Sequence, residues 1–319
     1  MAVILVTGAA GFIGSHVACA LLDRGDSVIG IDSLNEYYDP QLKKARLRRL
    51  LKDRKGFTFY KADIADSRKM DDIFSSHRID KICHLAAQAG VRYSLENPFA
   101  YIRSNVQGTT VIFELARRHK VKHVVYASSS SVYGTNTKQP FSEEDRVDTP
   151  ISLYAATKRS NELEAFTYHR LFGISMTGLR FFTVYGPYGR PDMAAFLFSD
   201  AILKGKELKV FNYGRMYRDF TYVSDIVDGV ARALDREFPC EVFNLGCGSK
   251  VELMRFINQI EKALGKKARM KMLPLQPGDI VETYADITKA KEKLGYQPKV
   301  GVEEGVKRFV EWYRQYYRK

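Results

Sequence analysis

Along the first 180 residues, short strand-like apolar runs alternate with longer stretches of helical period. Ala2 to Val6, Ser27 to Ile31, Phe57 to Lys61, Lys81 to Leu85, Val121 to Ala127 and Ile174 to Arg180 have the length and composition of strands. Phe12 to Asp23, ending at Gly25, and the stretches 41–54, 67–77, 98–119 and 152–172 space their apolar residues as helices do. Apolar strands alternating with helices predict an α/β fold: a doubly wound parallel sheet covered on both faces.

After Arg180 the rhythm breaks. Gly186-Pro187, Gly189, Pro191, Gly205, Gly214 and Pro239 punctuate shorter elements, with helices predicted at 193–204, 223–235, 251–264 and 301–317. Leu273 to Gly278 reads as loop. The second half is therefore expected to be a smaller, mixed α/β domain closing over the end of the sheet. The boundaries are 1–180 and 181–319, with segments near 220–245 free to return to the first domain. A chain of 319 residues fits two domains of roughly 150 residues each.

Composition changes this picture little. Hydrophobic residues at 45% and charged residues at 27% are an ordinary globular balance. The net charge of +13 suits an anionic partner, whether nucleic acid, membrane or small ligand. The densest basic run, Lys43 to Lys55, is interrupted at helical spacing by Leu42, Ala45, Leu47, Leu50 and Leu51. It reads as a solvated helix face, and no nucleic-acid motif accompanies it. Cys19, Cys83, Cys240 and Cys247 are scattered, as reduced thiols of a cytoplasmic protein would be. No signal peptide, membrane span or metal site is expected, since no segment has the required pattern.

Specific chemistry begins at Thr7-Gly8-Ala9-Ala10-Gly11-Phe12-Ile13-Gly14, between a strand and a helix. Gly8 suits a tight turn, Gly11 a close approach of backbone to pyrophosphate, and Gly14 close packing of helix on sheet. Phosphates would meet the positive end of the helix. Asp32 ends the second strand, about 20 residues on, where an acid holds adenosine ribose hydroxyls. Its charge repels a 2′-phosphate, so NAD is favoured over NADP. Together these features predict a Rossmann-type dinucleotide site.

Tyr154 and Lys158 form Y-x-x-x-K at the start of a predicted helix, four apart and on one face. An ammonium and an oxidised nicotinamide nearby would favour the phenolate, making Tyr154 a base for a sugar hydroxyl. Upstream, Ser128-Ser129-Ser130-Ser131 ends a strand, where α/β sheets bind ligands. His84, at another strand end, reads as structural.

These residues resemble the extended short-chain dehydrogenase/reductase superfamily. The resemblance rests on T-G-A-A-G-F-I-G, H-L-A-A-Q-A-G-V-R, S-S-S-S-V-Y-G, Y-A-A-T-K, G-L-R-F-F-T-V-Y-G-P-Y-G-R-P-D-M-A and R-D-F-T-Y-V-S-D-I-V, with Q-P-G-D at 276–279. L-N-E-Y-Y-D-P, L-K-K-A-R-L and G-R-P-D-M-A are most similar to UDP-glucuronate 4-epimerases. That resemblance implies reversible C4 epimerisation of UDP-glucuronic acid to UDP-galacturonic acid, through a 4-keto sugar with transient hydride transfer to bound NAD. Alternatives are a UDP-glucose/galactose or UDP-N-acetylhexosamine 4-epimerase. Further off stand a UDP-glucuronate decarboxylase and a non-catalytic NAD-binding module.

The resemblance also implies roles. Tyr154 would be the base, Lys158 would bind nicotinamide ribose, and Ser129 would hold the 4-hydroxyl. NAD contacts would come from Gly8, Gly11, Phe12, Ile13, Gly14, Asp32, Asn35, Asp63, Ile64, Leu85, Ala86, Ala87, Asn105, Ser128, Tyr154, Lys158 and Phe181. The UDP-hexuronic acid would be met by Arg92, Ser129, Ser130, Ser131, Thr183, Arg190, Phe211, Arg218, Gln276 and Asp279. Related 4,6-dehydratases carry Asp-Glu at Ser130-Ser131, and related decarboxylases carry Glu at Ser131. Thr183 stands where UDP-galactose 4-epimerases usually have Asn, which leans toward a uronate. A homodimer is expected through helices 98–119 and 152–172, along the stripes Ile102, Val106, Thr109, Ile112, Phe113 and Leu163, Phe166, Leu171. Neither nucleic acid nor membrane is expected as a partner.

Overall fold

The computed structural model describes residues 1–275 and 280–318. Strands β1 (Val3–Thr7), β2 (Ser27–Asp32), β3 (Phe57–Lys61), β4 (Lys81–His84), β5 (His123–Ser129) and β6 (Ser175–Phe181) build one parallel sheet. Cys240–Leu245 joins it at the edge beside β6, giving seven strands in the order Cys240–Leu245, β6, β5, β4, β1, β2, β3. The fold is thus the Rossmann-like α/β sheet that the alternating pattern predicts. Its order reverses between β1 and β4, and the crevice at such a switch point is where α/β sheets take ligands.

Period-two alternation sorts each strand's side chains between two cores. Ile4 and Val6 pack with Val17, Leu21 and Val230 on one face. Leu5 and Ile29 pack with Phe74, Phe113 and Met176 on the other. Burying each such side chain contributes about 1.5–3 kcal/mol, so a one-residue slip in register would be costly.

Helix ends follow local chemistry. The Asp66 carboxylate accepts the Lys69 amide at 3.1 Å and starts Ser67–Ser76. Ser152 Oγ accepts the Ala155 amide at 3.1 Å and starts Leu153–Phe172, which ends at Gly173 in the left-handed region. Two predicted helices contain wider turns, at Leu47–Leu51 and Ile102–Gln107.

The basic helix corrects one expectation. Asp39 caps Pro40–Arg46 and sets its phase so that Leu42, Lys43, Ala45 and Arg46 face inward. Arg46 is fully buried and binds the glycine-rich turn to the 188–189 segment. It donates to Ala10 O at 2.9 Å, Tyr38 Oη at 2.6 Å and Tyr188 O at 2.7 Å. Part of the run is thus a buried brace, not a solvated face.

Past β6, short strands unseen in the sequence bring distant residues to the crevice. Thr183–Tyr185 pairs with Phe220–Tyr222, and Tyr217–Arg218 lies between Val251–Glu252 and Glu282–Thr283. Asp219, fully buried, ties them together by accepting from Cys247 N at 2.6 Å, Gly248 N at 3.0 Å and Thr221 Oγ1 at 2.7 Å. All four cysteines are unpaired. Among the described residues no helix is long and apolar enough to cross a membrane, and no cluster of His, Cys, Asp or Glu could hold a metal ion.

Candidate active site

A cleft of about 520 Å³ opens at the carboxyl ends of the strands. One end is the glycine-rich turn. Gly8 sits at φ +72°, and a Cβ at Gly14 would lie 2.1 Å from Gly8 O, so helix and turn touch backbone to backbone. Among the described residues no side chain caps the helix Phe12–Asp23. Its first-turn residues Phe12, Ile13 and Gly14 line the cleft, so their amides can take an anion. Asp32 is held at the cleft by the Ala10 amide at 3.1 Å and the Leu34 amide at 2.8 Å. Burial raises its pKa, opposed by the Leu34 amide and the Lys43 charge. An uncapped helix start beside a fixed carboxylate fits a pyrophosphate and its ribose.

Asn35, Asp63, Ile64, Leu85, Ala86, Ala87, Ser128 and Phe181 also line the cleft, as does Gly11. Asn105 does not. It is fully buried, accepts the Gln88 amide at 2.8 Å, and donates to Gln88 O and Thr157 Oγ1 at 3.0 Å. Its place is behind the cleft wall, bracing the strand-end loop against the helix Leu153–Phe172. Ser128 is committed elsewhere too: its hydroxyl donates to Glu162 Oε1 at 2.6 Å.

At the other end stand Ser129, Ser130, Ser131, Tyr154, Lys158, Thr183, Arg190 and Arg218. Ser129 Oγ accepts the Ser131 amide at 3.2 Å and caps the short turn Ser130–Tyr133, which fixes the serine row. Lys158 Nζ donates to Ala127 O at 2.8 Å. Burial lowers its pKa to about 8, with Glu162 opposing. The Tyr154 phenol is raised by burial; a hydrogen bond with Ser129 and the nearby Arg190 charge work against that rise. Arg190 is thus a further cation acting on the phenol, and Lys158 is held at the Ala127 carbonyl. His84 is buried between Thr7 Oγ1 at 2.7 Å and Thr109 Oγ1 at 3.0 Å, with its pKa lowered by burial to about 3. It holds strand ends together as a neutral ring.

Arg92 and Phe211 lie outside the cleft lining. The Arg92 guanidinium lies 5.7 Å from the centre of the Phe211 ring, so the two side chains engage each other. Gln276 and Asp279 fall outside the described residues. The sequence reading missed Lys43, Tyr37, Tyr38 and Met193, all of which line the cleft. Lys43 Nζ donates to Asn35 Oδ1 at 2.6 Å and Asn35 O at 2.7 Å. The Asp-Pro pair at 39–40 was the available signal, since it sets the helix phase that turns Lys43 inward.

Known proteins match this arrangement. Residues 4–246 match the NAD dependent epimerase/dehydratase family. The chain is 46% identical to a probable UDP-glucuronate 4-epimerase of Rhizobium meliloti over 99% of this chain and 98% of that one. It superposes with a TM-score of 0.90 and 36% identity on a UDP-glucuronic acid 4-epimerase from Bacillus cereus in complex with UDP-glucuronic acid and NAD, covering 99% and 100% of the two chains. A UDP-glucose 4-epimerase from Thermotoga maritima, with UDP-glucose, gives a TM-score of 0.89 at 35% identity, covering 99% of each chain. With a glycine-rich turn, a strand-end acid and a Y-x-x-x-K pair in one cleft, this chain belongs to the NAD-dependent epimerase/dehydratase family, within the extended short-chain dehydrogenases/reductases, and NAD is its cofactor.

Proposed function

We propose that this protein interconverts UDP-glucuronic acid and UDP-galacturonic acid by inverting carbon 4. The observation that carries the reading is the grouping of Tyr154, its Ser129 partner and Arg190 beside the hydroxyls of Ser130, Ser131 and Thr183. When bound, NAD supplies a reversible hydride acceptor for the hydrogen on carbon 4. Ser129 holds the 4-hydroxyl oxygen and Tyr154 takes its proton. The Arg190 charge stabilises the phenolate that takes it, and Lys158 holds the nicotinamide ribose. Once the ketone has turned in the cleft, Tyr154 returns the proton to the oxygen.

A 4-ketouronate is a β-keto acid and loses carbon dioxide readily. Ser130, Ser131 and Thr183 hold its carboxylate by hydroxyl donation without adding an acid or a negative charge. Arg218 supplies a guanidinium for phosphate oxygens. We assign the glycine-rich half, with Cys240–Leu245, to NAD and the segments past Phe181 to the UDP-sugar. The names of the Rhizobium and Bacillus proteins support the uronate. The Thermotoga protein's name keeps neutral UDP-sugars as the second reading.

The deciding experiment incubates purified protein separately with UDP-glucuronate and UDP-glucose. UDP-galacturonate should form, without UDP-pentose. Comparable turnover of UDP-glucose would favour the second reading, and turnover of neither would remove epimerisation.

We also propose a homodimer. Thr109, Ile112 and Phe113 are buried in the protomer's own core, whereas Ile102, Leu163, Phe166 and Leu171 are exposed on the two long helices. Such a patch is expected to be covered. Light scattering should give about twice 36.4 kDa, and Phe166→Glu should halve it. A monomeric mass for the unaltered chain would sink the proposal.

A further inference from the structure

Two loops from opposite ends of the cleft meet at one carboxylate. Tyr37 lies in the segment after β2, close to Asp32 and Asn35. Arg190 and Asp192 lie in the segment after Thr183–Tyr185, at the Tyr154 end. Tyr37 Oη donates to Asp192 Oδ2 at 3.0 Å. Arg190 Nε donates to Asp192 Oδ1 at 3.0 Å, and Arg190 Nη2 pairs with Asp192 Oδ2, so the guanidinium and carboxylate meet as a two-pronged fork. The Tyr37 ring packs on Tyr93 with centroids 4.8 Å apart. Gly90 makes room for its hydroxyl, since a Cβ there would lie 2.2 Å from Tyr37 Oη. Tyr37, Gly90 and Arg190 line the cleft, and Asp192 is exposed to solvent outside that lining.

We propose that Asp192 is a positioning residue: gripped by Tyr37 and Arg190, it straps the cofactor-side loop to the sugar end and fixes the Arg190 guanidinium beside Tyr154. The inference rests on the assignment of those two ends given above. A free arginine side chain samples many rotamers, and a fork to a fixed carboxylate removes that freedom before substrate arrives. The donors and acceptors are also fixed. Burial pushes Asp192 up, but the Arg190 charge and hydrogen bond outweigh it and hold the carboxyl below its usual range. Burial and the Asp192 charge push the Tyr37 phenol up to about 12. At neutral pH the tyrosine therefore donates and the aspartate only accepts. Because the strap touches both ends, loosening it at either loop must be felt by both ligands.

The test uses the full-length protein loaded with NAD. Tyr37→Phe deletes the hydrogen bond and keeps the ring on Tyr93; Asp192→Asn keeps the shape and deletes the charge. Each should speed NAD release into competitor about tenfold, the scale of one charge-assisted hydrogen bond. Each should also raise KM for UDP-glucuronate about tenfold and lower kcat by a similar factor, because a loosened guanidinium stabilises the Tyr154 phenolate less well. The double variant should fall short of the product of the two single effects, because the Tyr37 hydrogen bond is weaker once its acceptor has lost its charge. NAD release needs no turnover, so it judges the strap even if UDP-glucuronate proves not to be the substrate. Unchanged release in both variants would overturn the strap. So would effects that multiply in the double variant, or KM and kcat that both stay within about threefold of native.

Discussion

Tyr154→Phe should fold, keep NAD and lose about 10³–10⁴-fold in kcat, the range that one positioned general base contributes. The change removes a single oxygen. The ring keeps its edge-on contact with Tyr101, 6.1 Å between centroids, so packing is preserved. Lost with the oxygen are the partner of Ser129 and the only atom of that side chain able to carry a proton. The raised phenol adds a pH signature. Burial disfavours the phenolate, and Ser129 and Arg190 only partly offset it. The rate should therefore climb with pH through neutrality in the native protein, as more phenolate forms. In the Phe variant that climb should vanish along with the rate. The measurement is a pH series of kcat and kcat/KM on UDP-glucuronate, with NAD content checked after dialysis. A variant within about tenfold of native rate would take Tyr154 out of the base role.

The sheet and the cofactor end were legible because their signals are local and periodic. A five-residue apolar strand, a glycine-rich turn and an acid at the next strand end sit close together in sequence. The sugar end was legible only in part. Thr183 and Arg218 reach the cleft on strands of two or three residues, too short to show a period. Their pairing partners lie tens of residues away. Lys43 and Arg46 illustrate a second limit. A charge among leucines at helical spacing reads as solvated surface, and only the Asp39 cap decides which charges turn inward. Asn105 shows a third. A motif places a residue near a ligand, but whether its amide faces ligand or backbone depends on neighbours from a loop and another helix, here Gln88 and Thr157.

Glu162 carries the largest expected effect on stability. Glu162→Gln should lower Tm at neutral pH by about 5–15 °C, from a loss of about 3–5 kcal/mol when one partner of a buried ion pair is removed. The Glu162 and Arg180 side chains are 2% and 4% exposed and meet in a fork at 2.9 and 3.0 Å. Arg180 also donates to Tyr133 Oη at 3.0 Å, and Ser128 and Arg159 complete the carboxylate's partners. Glutamine keeps the size but leaves the Arg180 cation buried without a counter-charge. Burial alone would raise the Glu162 pKa; Arg180 and its other partners outweigh that and hold it below the usual carboxylate range. A group with a depressed folded pKa stabilises above its unfolded pKa, about 4.3, and loses that stability as pH falls through its folded value. The gap in Tm between native and variant should therefore be full at pH 7 and narrow below about pH 4. A gap under about 2 °C at pH 7, or one that widens in acid, would refute the account. The same substitution reaches the active site. Glu162 opposes the burial that lowers Lys158 to a pKa of about 8, so without its charge Lys158 should lose its proton at lower pH. Activity should fall at alkaline pH as Lys158 loses its proton, and in the variant that fall should move to lower pH, linking the buried pair beside Ser128 to the cation at the cleft.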